Sequence, residues 1–369
     1  MIPTSIRRAV VPGIAVLALA LTGCGASNDS DGDTGSGSSG DSFSGSLAGG
    51  GASSQDSAQT AWRAAFQTEN SGATITYDPV GSGTGRENFI SKAYSFAGSD
   101  SYLKDDEGEL TAAKERCGGT DAIEVPAYVS PIAIVFNVPG VDSINLDAKT
   151  IASIFDGKIT KWNDAAITAL NDGVDLPSTK ISPVHRSDDS GTTANFTDYL
   201  SKAGGGAWSY PADDTWPIQG GEAAEGTSGV IASVKGGDGT IGYADESQAG
   251  GLGIASIQVG SEFNAPSADG AAKVVSVSKP SDTATDTMMA IDIDRTTTES
   301  GAYPIVLVSY LLACQHYDDA NEAALVKGFL SYIVSDAGQQ AASEQAGSAP
   351  LDSATAAKAG DIVGAIAAK

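Results

Sequence analysis

Three times in this chain a short strand-like stretch runs into a loop of Gly, Ser and Thr and then into apolar residues at helical spacing. Residues 43–47 lead into Ala48-Gly49-Gly50-Gly51-Ala52-Ser53-Ser54 and on to Ala58, Trp62, Ala65 and Phe66. The alternating stretch 73–77, stopped by Asp78-Pro79, leads into Gly81-Ser82-Gly83-Thr84-Gly85 and on to Phe89, Ile90 and Tyr94. The stretch 181–185 leads into Arg186-Ser187-Asp188-Asp189-Ser190-Gly191-Thr192-Thr193 and on to Phe196, Tyr199 and Leu200. Strands that alternate with helices across short loops predict an α/β fold. Further strands are expected at 96–100, 132–136, 240–244 and 305–312, and helices around 151–155, 164–170, 229–235 and 324–333. The polar stretch 264–301 carries little periodicity of either kind.

The loops have a second consequence. Small residues let backbone approach a ligand closely, and the first turn of the following helix presents unpaired N–H groups and a partial positive charge. One such loop is adequately explained as an N-cap. Three of them, with Arg186 four residues before Ser190, read as an anion-binding set. Arginine offers a fixed fork of donors suited to an oxyanion, although Asp188 and Asp189 are placed to pair with it as well. Asp100, at the end of the strand expected at 96–100, is the odd member, because a carboxylate beside a bound anion repels it unless the ligand carries a proton to donate. Hydrogen phosphate carries one and sulfate at neutral pH does not, so a buried acceptor facing sulfate is left undonated. Capping of a turn is the plainer use of Asp100.

Enzyme chemistry finds less support. His185 near the Ser190 loop suggests a serine hydrolase, but a base must lie within hydrogen-bond reach of its nucleophile and be oriented by a third group, which adjacency in sequence does not supply. There is no Gly-x-x-x-x-Gly-Lys-Ser/Thr loop for phosphoryl transfer. His185 and His316 are the only histidines and no Cys-x-x-Cys spacing occurs, so no metal and no cofactor is expected.

At the start of the chain, Arg7 and Arg8 precede an apolar stretch at 9–21 that is shorter than the roughly 20 residues a bilayer span needs. Together they have the form of a signal peptide over residues 1–23. Leu21-Thr22-Gly23-Cys24 has the form of a lipobox, in which Cys24 takes a diacylglyceryl group and further acyl chains such as palmitate; a plain secretory signal is the alternative. Residues 24–42 are almost entirely Gly, Ser, Asp, Asn and Thr, the composition of a flexible tether. The expected location is the extracytoplasmic face of the cell membrane. Cys117 and Cys314 then remain as an even pair in an oxidising compartment, which accommodates either a disulfide or two buried thiols. The formal net charge of −25 argues against nucleic acid as a partner and leaves any anion site to work through local donors. The same acidity serves solubility.

Gly49 to Ser54, Val80 to Gly85, Phe96-Ala97-Gly98-Ser99-Asp100, Ile151 to Trp162 and Arg186 to Thr193 resemble, in this order, the motifs of the phosphate-binding proteins of phosphate-specific (Pst-type) ABC transporters. The likeness covers nearly all of the chain after the signal. It implies a two-lobed periplasmic-binding-protein fold of type II, α/β in each lobe, with two hinge strands and both chain ends in one lobe. Lobe I is expected at 43–127 plus 301–369 and lobe II at 128–300. The implied phosphate contacts are Ser53, the backbone N–H of Ser54, Ser82, Asp100, Arg186, Ser190, Gly191 and Thr192, with Asp188 orienting Arg186. The first loop often reads Thr-Phe in that family where this chain has Ser53-Ser54, which keeps a hydroxyl and a backbone donor but loses an apolar wall. The resemblance implies a monomer that hands phosphate to ABC permease subunits. A binding protein for sulfate or molybdate is the nearest competing expectation, followed by a surface adhesion or signalling protein that retains the fold.

Overall fold

The alternation read from the sequence becomes one mixed sheet flanked by helices in the computed structural model, which describes residues 43–105 and 108–369. The expected signal peptide, Cys24 and the tether lie outside the described residues. Strands β1 (Ser44–Gly51), β2 (Gly72–Asp78) and β3 (Phe96–Ser99) run parallel with β1 in the middle. Helices α1 (Asp56–Glu69) and α2 (Ser82–Ile90) make the crossovers. The helical period of Ala58, Trp62 and Phe66 turns these side chains inward. Phe66 meets Phe329 edge-on at 5.4 Å, and Phe329 also packs on Phe96 at 5.6 Å. Removing these rings from water supplies the driving force for docking α1 on the sheet.

A short helix, α3 (Glu109–Arg116), precedes β4 (Ile123–Asn137), the strand on which the architecture turns. Up to Pro131, β4 pairs antiparallel with the strand Val306–Ala313, which itself pairs with β3. From Ile132 on, β4 changes partner. Past β5 (Ser143–Leu146), helices α4 (Ala148–Phe155) and α5 (Ala165–Thr168), and strands β6 (Ser182–Arg186) and β7 (Glu222–Ala224), its new neighbour is β8 (Thr240–Asp245), with β9 (Gly253–Val259) at its far end. One strand thus belongs to two half-sheets. The chain passes between them again just before Val306, where Ile132 N donates to Ile305 O at 2.7 Å.

Helices α6 (Gly191–Ala203) and α7 (Gly226–Gly236) cover the second half. Helices α8 (Ala268–Val277), α9 (Ala320–Val334), α10 (Asp336–Ala346) and α11 (Ser353–Gly364) complete the chain. Cys117, at the C-terminal end of α3, is joined to Cys314, which follows the strand Val306–Ala313, with Cα atoms 5.2 Å apart.

Several expectations are corrected. Strand β1 continues to Gly51, through residues read as loop. A Cβ at Gly51, where φ is +136°, would lie 2.0 Å from Gly98 O, so only glycine lets β1 and β3 approach here. Helix α2 starts at Ser82, inside the second small-residue loop, and ends before Tyr94. Strand β4 is far longer than the stretch 132–136. Helix α8 occupies part of the stretch that showed little periodicity, capped by the Ser267 hydroxyl on Gly270 N.

Glu124 is fully buried on β4; one carboxylate oxygen accepts from Leu103 N at 2.8 Å and the other has no partner among the described residues. Burial pushes its pKa up to about 8. The folded state therefore keeps a proton that the unfolded chain releases near its ordinary value, and this contribution to stability is lost as pH rises from about 4.5 through 8. Glu124→Gln keeps the shape without the titration. Its melting temperature is expected to match wild type near pH 4.5 and to exceed it increasingly toward pH 8; parallel melting curves across this range would refute the assignment.

Candidate functional site

The three small-residue loops meet at the edge where β1, β3 and β6 end. Gly51 O accepts from Gly81 N at 2.9 Å, and Gly98 O accepts from Ala52 N at 2.8 Å, which brings the Ser53 turn and the start of α2 to the end of β3. From the other half-sheet, Asp189 O accepts from Gly83 N at 3.1 Å. The third loop is held from beneath by an aromatic cluster. Tyr243 of β8 stacks on Phe196 at 4.3 Å, Phe196 meets Phe155 at 4.8 Å, and the Tyr243 hydroxyl accepts from Arg186 N at 3.2 Å and pairs with Thr193 Oγ1 at 2.8 Å. The apolar spacing that makes α6 a helix thus also fixes where its first turn points.

Asp100 lies where the halves converge. Ser54 Oγ donates to its Oδ1 at 2.7 Å and Thr192 Oγ1 donates to its Oδ2 at 2.8 Å, one hydroxyl from each side. Its own N–H donates to Ser82 Oγ at 3.1 Å. Burial raises the Asp100 pKa above the ordinary carboxylate value, against the lowering effect of hydroxyls from Ser309, Ser54 and Thr192 and of the Arg186 charge.

Arg186 is buried at the end of β6 with Nε donating to Asp188 Oδ1 at 2.7 Å and Nη2 donating to Asp188 Oδ2. Nη1 bonds to no other described residue, so one edge of the fork is held and one is left to give. Burial pushes Asp188 upward, but the Arg186 hydrogen bonds and charge, with Gly226 N donating at 3.0 Å, outweigh it and hold the carboxyl below its usual range. Ser190 caps α6, its hydroxyl accepting from Thr193 N at 3.3 Å. The amides of Gly191 and Thr192, in the first turn, have no protein acceptor among the described residues. The Ser53 hydroxyl accepts from Thr227 N at 3.0 Å and pairs with Thr227 Oγ1 at 3.0 Å, at the start of α7.

Ser53, Ser54, Ser82, Asp100, Arg186, Ser190, Gly191 and Thr192 therefore share one buried neighbourhood with Asp188 behind Arg186. The arrangement offers hydroxyls, helix-start amides and a guanidinium edge around a single buried carboxylate, the chemistry of a protonated oxyanion. His185 is not part of it: its Nδ1 meets the carbonyl of Arg186 at 2.9 Å and its ring stacks on Trp216 at 5.0 Å. Among the described residues no cluster of His, Cys, Asp and Glu is arranged to hold a metal.

Sequence reasoning missed four residues. Thr227 follows Glu225-Gly226, with only Gly226 as a cue. Asn195 donates to Asp100 O at 2.7 Å and is itself bonded by Arg295 Nη2 at 2.6 Å; no sequence cue marks either partner. Arg86, one turn after Ser82, is buried and bonded across to Asp214 at 2.7 Å, and its i+4 spacing from Ser82 was the available signal.

Comparison with known proteins bears on this geometry. The profile of the PBP superfamily domain matches residues 34–337. The phosphate-binding protein PstS2 of Mycobacterium bovis is 36% identical over 365 residues, covering 97% of this chain and 98% of its own length. The phosphate-binding protein PstS 3 of Mycobacterium leprae is 36% identical over 335 residues, covering 87% of this chain and 89% of its own. A high-affinity periplasmic phosphate-binding protein, solved bound with phosphate, superposes with a TM-score of 0.68 at 22% identity, over 85% of this chain and 92% of its own, which establishes the two-lobed α/β fold.

At Gly191 the two sides are packed backbone to backbone: a Cβ there would lie 2.6 Å from Ser101 N and 2.8 Å from Asp100 C. Gly191→Ala is expected to leave α6 intact and to force the sides apart, so that the Gly83 amide exchanges with solvent at least about tenfold faster. Unchanged exchange at Gly83 would show that the contact tolerates a methyl group.

Proposed function

The chain belongs to the family of PstS phosphate-binding proteins, and on that premise we propose that it captures inorganic phosphate between its lobes and delivers it to an ABC permease for import. It is a binding protein and not an enzyme. The observation that carries this reading is Asp100, buried and held by one hydroxyl from each side of the site. In the proposed complex Asp100 accepts the ligand's proton. Arg186, aimed by Asp188, donates through its free edge, the amides of Ser54, Gly191 and Thr192 donate from helix starts, and Ser53, Ser82 and Ser190 complete the set. Lobe I is assigned to 43–127 plus 301–369 and lobe II to 128–300. Each lobe supplies only part of the donor set, so all the oxygens of the ligand are satisfied only when the lobes close, and phosphate stabilises the closed form by its differential contacts.

The sequence at the chain's start supports export by residues 1–23, lipidation of Cys24, and a tether at 24–42 that keeps a monomer at the extracytoplasmic face, where its effective concentration near the permease is raised.

Selectivity follows from the carboxylate. Sulfate has no proton to give Asp100, and the opposed lone pairs cost about 1–3 kcal/mol or more. Calorimetric titration of the full-length chain, stripped of carried-over ligand, is expected to show tight phosphate binding and no sulfate heat. Asp100→Asn is expected to narrow the phosphate-to-sulfate preference by about tenfold or more. Equal binding of both anions by the wild type would refute the role of Asp100, and binding of neither would refute the function.

A further inference from the structure

We propose that Arg86 is the tie that holds the two sides of the site together, and that through Asp214 it positions Ser190 and thereby sets how long phosphate stays bound. This rests on the function proposed above. Arg86 leaves α2 one turn after Ser82 and each of its three guanidinium nitrogens is bonded to protein. Nε donates to both oxygens of Glu109 at 2.9 Å, Nη1 donates to Ser101 Oγ at 2.7 Å and Ser99 Oγ at 3.2 Å, and Nη2 donates to Asp214 Oδ2 at 2.7 Å. With all three nitrogens already turned to protein carboxylates and hydroxyls, Arg86 is a structural tie and not an anion contact. Glu109, Ser99 and Ser101 belong to its own side, and Asp214 belongs to the other.

Asp214 is bonded to α6 through its backbone and its neighbour. Its neighbour Asp213 is bonded to Thr197 in both directions, N–H to Oγ1 at 3.1 Å and Oγ1 to carbonyl at 3.2 Å. The carbonyl of Asp214 accepts from Ser190 N at 2.9 Å. The pair therefore links the α2 side directly to the residue that caps the anion-binding helix. Asp189, beside Ser190, adds a second carboxylate 3.8 Å from Arg86 Nη2.

The burial pattern says why the tie matters. Asp214 Oδ1 is buried and has no partner among the described residues, and its Oδ2 takes Arg86 Nη2 and Ser101 Oγ. When the sides separate, water solvates both Asp214 oxygens. When they close, Arg86 is the neighbouring cation that offsets the lost solvation. Without it, closure buries an uncompensated carboxylate. The penalty falls on the closed state, so it is read in dissociation more than in association.

Three variants test this by stopped-flow phosphate kinetics on the full-length chain and by amide exchange at Gly83 and Ser190. Arg86→Met is expected to raise the phosphate dissociation rate at least about tenfold with little change in association, to leave sulfate rejected, and to speed exchange at both amides. Arg86→Lys, which keeps the charge without the fork, should recover part of the loss. Asp214→Asn is expected to give a similar but smaller change, and the double variant Arg86→Met with Asp214→Asn to be no worse than Arg86→Met alone. Additive effects of the two substitutions, or wild-type dissociation and exchange in Arg86→Met, would overturn the tie. If wild type itself bound no phosphate, the proposed function would fall, while the exchange measurements would still decide whether Arg86 holds the sides together.

Discussion

The site depends on a single buried carboxylate that receives one hydroxyl from each half of the protein. Asp100 sits at the end of β3, Ser54 reaches it from the turn after β1, and Thr192 reaches it from the first turn of α6. An ionised carboxylate in this place needs donors, and donors on two separate surfaces can be collected only when those surfaces touch. The requirement that makes Asp100 tolerable in the interior is therefore the one that favours closure. Strand β4 makes the geometry possible: by pairing with one neighbour up to Pro131 and another from Ile132, it keeps the two half-sheets in one framework.

The chain's acidity sharpens the problem. A molecule of formal charge −25 repels anions at a distance, so attraction has to come from dipoles and donors within a few ångströms. The structure meets this with helix starts rather than with a cluster of basic side chains. Among the described residues Arg186 is the guanidinium with an unbonded edge at the site, and Asp188 cancels much of its charge while fixing its plane. Directed hydrogen bonds of this kind discriminate between anions by protonation state and shape, which a pool of positive charge would not do.

Much of this was legible from residue types and spacing. The loops around Ser53, Ser82 and Ser190 are small-residue runs between apolar periods, and those periods place them at strand ends before helices. Their convergence was not readable from spacing alone, because it depends on the sheet order, and β4 hid its own length. Glu124, Pro126, Ser130 and Pro131 interrupt its apolar pattern, and the two polar ones have specific neighbours: Leu103 N bonds Glu124, and Ser130 lies beside Asp245 where β4 changes partner. Helix α2 began earlier than expected because its first turn is Ser82-Gly83-Thr84-Gly85, residues of low helix propensity that tertiary contact overrides. Asn195 and Arg295 gave no signal, and Thr227 only its preceding Gly226, since each matters through a partner distant in sequence.

Arg86 and Arg186 show what residue type cannot say. Both are buried arginines close to a helix start, and both are paired with carboxylates from a neighbouring loop or helix. Their difference lies in what remains after the protein has used them. Arg186 keeps Nη1 without an acceptor among the described residues, whereas Arg86 has given Nε, Nη1 and Nη2 to Glu109, Ser99, Ser101 and Asp214. A buried nitrogen with no acceptor must be met by something that arrives, and nitrogens already bonded to protein hold together what is present. On that criterion Arg186 keeps a donor for the ligand in the proposed complex and Arg86 joins its wall to the opposite one, although α2, which carries Arg86, touches the loop that follows Arg186.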